Sequence, residues 1–84
     1  MNTVKCSVFR SSLDGVDLTI STGGVLRLEY RSVRGWRRAD GFIVLLFCSD
    51  PEVVYEVACR NEWGAGHVVG WMRLFNVPER EQPV

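Results

Sequence analysis

Arginine, serine and glycine carry what chemistry this sequence offers. Arg27 and Arg31 fall on the same exterior face of one alternating stretch, and Arg34, Arg37 and Arg38 surround Trp36 just beyond it. Guanidinium groups grip phosphate in a bidentate fork and stack on bases, and an indole adds a π-face. The same cations equally suit a solvated surface with Glu29 and Asp40 as partners. Upstream lies Ser21-Thr22-Gly23-Gly24, a hairpin turn that brings a hydroxyl and unshielded backbone N–H groups to the surface.

Other constellations are weaker. His67 is the single histidine, and Cys48, Cys59 and His67 are separated by ten and seven residues, unlike the close pairs of zinc sites. The carboxylates are scattered, so paired acid–base work has no specific support and no catalytic residue is assigned. Gly64-Ala65-Gly66-His67-Val68-Val69-Gly70 does not fit a dinucleotide fingerprint. Asn61-Glu62-Trp63 precedes it instead of an apolar strand, and only 14 residues follow Gly70.

Elements that position these residues follow from hydrophobic period. Val4, Cys6 and Val8 alternate with polar neighbours, as do Val16, Leu18 and Ile20, and then Leu26, Leu28 and Tyr30. Arg34 to Gly41 reads as a polar loop, and the wholly apolar Phe42 to Cys48 as a central strand. Residues 49–60 carry two signals. Ser49-Asp50-Pro51-Glu52 resembles a helix start, whereas Val53, Tyr55, Val57 and Cys59 alternate at period two, with Asp50-Pro51 as a hairpin turn. His67 to Phe75 reads as a last strand, with a short helix placing Val68, Met72 and Phe75 on one face as its competitor. Six strands with short connections favour an all-β antiparallel barrel or sandwich.

Eighty-four residues provide one core, here assigned to residues 1–78 with a polar tail at 79–84. Formal net charge is zero, yet residues 1–39 hold seven basic and three acidic side chains and residues 40–84 the reverse. That balance argues against binding a nucleic-acid polymer. No apolar run reaches the ~20 residues of a bilayer span, so membrane insertion is not expected. Met1 to Lys5 lacks the features of a signal peptide, and Cys6, Cys48 and Cys59 suit reduced buried thiols in a cytoplasmic protein.

The turn and the strands after it resemble the PilZ domain, a bacterial family associated with cyclic-di-GMP. Its Asp/Asn-x-Ser-x-x-Gly turn corresponds to Thr19, Ser21 and Gly24, with Gly23 as an extra glycine. Gly41 before Phe42 to Phe47, then Val57 to Arg60, a glycine loop and Val69 to Phe75 extend the resemblance over roughly residues 16–78. It implies a six-stranded antiparallel β-barrel and a strand at 53–60. Departures are equally specific. The Arg-x-x-x-Arg segment that clamps phosphate before the first strand is missing, and Thr19 stands where an acid or amide would meet guanine. The resemblance therefore implies an atypical adaptor in cyclic-di-GMP or type IV pilus and motility signalling. It would bind protein, with no cofactor, and Trp36 or Trp63 would anchor a partner or a homodimer. The alternatives are a cyclic-di-GMP receptor using Thr19, Ser21, Gly24 and the displaced Arg27, Arg34 and Arg38, or a small phage-type inhibitor.

Overall fold

The computed structural model describes residues 2–83. Six strands form one mixed sheet: β1 (Asn2–Ser11), β2 (Gly15–Ile20), β3 (Val25–Glu29), β4 (Gly35–Ala39), β5 (Ile43–Phe47) and β6 (Val53–Ala58). One helix, α1 (Glu62–Leu74), follows them, and a 3-10 turn at Tyr30–Ser32 lies between β3 and β4. Across the sheet the order is β3-β2-β1-β6-β5-β4. Two meanders meet at its centre, where β1 and β6 run parallel from Asn2↔Val53 to Ser7↔Ala58. All other neighbours are antiparallel.

The expected antiparallel barrel is therefore not the observed fold. β3 and β4 remain unpaired with each other, so the sheet has two edges, and its central pair is parallel. It is nevertheless strongly curled. Laid flat, six strands would span ~24 Å, whereas residues 30–34, partly coiled into the 3-10 turn, reach only about 16 Å. The near-equal dimensions of 27 × 25 × 24 Å agree with a curled sheet closed over by a helix.

Period-two alternation determines which side chains line the concave face. Cys6, Val16, Leu18, Leu28, Val44, Leu46 and Val57 all point inward and are buried. Ala65, Val68, Val69 and Met72 of α1 pack onto them from one helix stripe. This is the i, i+3, i+4, i+7 spacing of a helix seated in a groove. Tyr30 is wholly buried, and its hydroxyl is satisfied at 3.0 Å by that of Ser11.

Two sequence expectations need correction. His67 to Leu74 belongs to the helix α1, not a strand, and Phe75 is its C-cap. Asn61 caps it by accepting a hydrogen bond from the Gly64 N–H at 2.9 Å, and Glu62 places negative charge in its first turn. Arg34 to Gly41, expected as a loop, contains β4, whose register with β5 runs from Gly35↔Phe47 to Ala39↔Ile43. Trp36 consequently lies on the inner face, only 3% exposed, and donates its indole N–H to the Val77 carbonyl at 3.0 Å. The chain after α1 covers the outer edge of β4: Trp36 N–H donates to Pro78 O, and Arg80 N–H donates to Trp36 O. Residues 53–58 are extended, as the alternating pattern and the resemblance both favour.

Candidate functional site

Gly23 and Gly24 shape the β2–β3 turn through positive φ angles of 113° and 92°. The resulting loop is tightly bonded within itself and to β1. Ser21 N–H donates to Lys5 O, Gly23 N–H to Ile20 O and Ile20 N–H to Gly24 O, at 2.9 to 3.0 Å. Thr19, Ser21 and Gly24 are exposed, but the Ser21 and Gly23 donors are already engaged. The expected unshielded donors are thus partly occupied.

The arginines do not gather at this turn. Arg27, opposite Asp17 in the β2–β3 register, forms ion pairs with Asp14 at 2.7 Å and Asp17 at 2.9 Å. The Asp17 hydrogen bond is the main reason its pKa lies above the ordinary arginine value. Arg38 points to the inner side of β4 and grips Glu62 with both terminal nitrogens, at 3.1 and 2.9 Å. That fork fastens the start of α1 to an edge strand. Glu62 is correspondingly held below the ordinary glutamate pKa, chiefly by the hydrogen bond from Arg38. Arg34 is exposed, and its backbone N–H donates to Phe47 O. Strand directions put Arg34 at the same end of the sheet as the turn, on the opposite edge.

A second surface lies at the other end. β6 stops pairing with β1 at Ser7↔Ala58, while β1 continues to Ser11 beside β2 alone. The chain turns away through Cys59 and Arg60 into α1, leaving an open groove of about 670 Å³. Phe9 and Trp63 flank it and are 70% and 78% exposed, and Arg10 and Arg60 lie alongside them. None of the groove-lining residues is acidic. Along α1, Trp63 stacks on His67 with centroids 5.4 Å apart, and the Trp71 indole donates to His67 Nε2 at 3.0 Å.

Of the six expected ligand residues, therefore, the structure groups Thr19, Ser21 and Gly24 at one end of the β2–β3 hairpin, holds Arg27 and Arg38 in ion pairs elsewhere, and leaves Arg34 exposed on the opposite edge. Of the two expected anchors, Trp63 is exposed and Trp36 is buried. The groove residues Phe9, Arg10 and Arg60 are not sequence candidates, and His67 is one only for a metal or cysteine–histidine site. Two signals were present: Phe9 breaks the alternation of Val4, Cys6 and Val8, and Trp63, His67 and Trp71 recur at helical spacing.

The thiols are poorly suited to nucleophilic work. Burial, aided by the Glu56 charge, pushes the Cys6 thiol up to about 11, and burial also raises Cys48 and Cys59. Among the described residues, no group of three or more His, Cys, Asp or Glu side chains is placed to hold a metal. No described helix is long and apolar enough to cross a membrane. In comparisons with known proteins, no family model, curated protein or solved structure matches this chain.

Proposed function

We propose that this chain is a regulatory adaptor domain that works by protein–protein contact, PilZ-like in its turn and early strands. In that reading it serves bacterial cyclic-di-GMP or type IV pilus and motility signalling without itself gripping the dinucleotide. The observation that carries it is the fate of the arginines. Arg27 and Arg38, two of the three displaced arginines, are paired to carboxylates of their own chain. Freeing them for phosphate would break those pairs, including the fork between β4 and the start of α1. Meanwhile Phe9 and Trp63 stand largely in solvent beside cations, the residue types that dominate interface hot spots.

Calorimetry with cyclic-di-GMP at high protein concentration tests the ligand side, and no saturable heat is expected. Micromolar binding abolished by Arg34→Ala would instead support the receptor reading, since Arg34 shares the turn's end of the sheet. Crosslinking capture from a bacterial lysate tests the adaptor side. A discrete partner recovered by the unaltered chain and lost with Phe9→Ala/Trp63→Ala supports it; no reproducible partner counts against it.

A further inference from the structure

We propose that the groove between the end of β1 and the start of α1 receives an extended acidic peptide, which adds to β1 as a strand where β6 leaves off. This deepens the adaptor reading above and rests on it. Main-chain geometry supplies the first reason. β1 is a central strand over Asn2–Ser7, but beyond Ser7 its pairing with β6 has ended. An exposed strand edge is a template for another strand, and its free N–H and C=O groups supply the affinity.

Charge selects the occupant. Arg10 and Arg60 both line the groove, and neither is ion-paired to a carboxylate among the described residues. Glu62, the nearest acid in sequence, is held by Arg38. A second copy of this chain, docked by two-fold pairing of the same edges, would bring four cations into one groove with no acidic lining residue, which is destabilising. A segment carrying glutamate or aspartate meets them favourably. Phe9 and Trp63, both lining the groove and largely exposed, provide apolar contact for side chains of the incoming strand. Trp63 is steadied by its stack on His67, which lowers the entropic cost of using it.

The probe is a capped hexapeptide alternating glutamate and valine, titrated into the isotopically labelled full chain and followed by amide NMR shifts. Saturable perturbation confined to residues 8–11 and 60–67 is expected. Arg10→Ala and Trp63→Ala are each expected to weaken binding by about tenfold, the worth of one good contact. Both side chains are exposed, and unchanged amide spectra elsewhere confirm that the variants fold. A lysine–valine peptide should bind at least about tenfold more weakly, as should the glutamate peptide with alternate amides N-methylated, which removes ladder donors. Equal binding of the lysine peptide, full binding of the methylated one, perturbation elsewhere, or no binding at millimolar peptide overturns the proposal. So does a short oligothymidylate that displaces the peptide from the same residues at lower concentration. Lysate partners that persist with Arg10→Ala and are not displaced by the peptide would leave the adaptor reading standing and remove this one.

Discussion

Phe42 holds a backbone conformation that costs energy: its φ is +63°, directly after Gly41 at +73°. Two successive left-handed residues close the β4–β5 hairpin, a geometry natural to glycine and asparagine and strained by about 1 kcal/mol or more in a phenylalanine. The residue is 42% exposed, so more than half of its surface is covered, which offsets that strain. Phe42→Val, β-branched at a positive φ and with less surface to bury, is expected to lower the urea midpoint by about 1 kcal/mol of stability or more. Cys6 is the other residue with a sharp expectation. Its thiol is buried in β1 and donates weakly to Glu56 O, and its folded pKa lies near 11 against an ordinary value of 9.0. A proton held more tightly when folded stabilises fully below the ordinary value, and that contribution disappears as pH rises through 11. Thiol labelling of Cys6 at pH 8 should therefore be slow until denaturant is added, and alkaline unfolding should weaken in Cys6→Ala.

At the scale of elements, α1 is fastened to the sheet by its buried stripe and by the Arg38–Glu62 fork. Because the Glu62 carboxyl is held below its ordinary pKa, its contribution is present above that value and lost as pH falls through the lowered one. Arg38→Ala and Glu62→Gln should each lower Tm at pH 7, the double variant little further, and the gap from the unaltered chain should shrink in acid. Thermal melts followed by helical circular dichroism read this directly. The helix was hard to see in the sequence because Gly64, Gly66 and Gly70 depress its propensity. Val68, Val69, Trp71 and Phe75 meanwhile fit either period. Its start was nevertheless written in Asn61-Glu62, a cap followed by an acid. β4 was hidden differently. Three arginines and a glycine read as loop, yet Trp36 and Arg38 sit at period two, and Trp36 lies inward while Arg37 reaches the opposite face toward Glu81. The turn at Ser21 to Gly24 was legible to the residue. The destination of Arg27 and Arg38 was not, because their carboxylate partners are fixed by cross-strand register and helix placement rather than by spacing in the chain.

For the whole molecule, the decisive contact is the parallel seam between β1 and β6. It joins the two meanders, so stability should be unevenly distributed. Native-state hydrogen exchange is expected to find the slowest amides in Cys6 and Val57 and their neighbours, with β3 and the turn at 21–24 exchanging sooner. Slowest exchange in β3 and β4 would contradict a sheet organised from its centre. Alternation could supply four of the strands and an unbroken apolar run a fifth, but not the direction of this seam, which depends on how the second meander returns. The seam also orders events during synthesis. When β1, β2 and β3 have emerged from a ribosome, the inward row of Cys6, Val16, Leu18 and Leu28 has nothing to cover it. The middle strand of the finished sheet is then still an edge, open to any passing chain until Val53–Ala58 arrives. Folding is thus a late, nearly single event, and the unfinished first half is the stage at which a chaperone has most to shield.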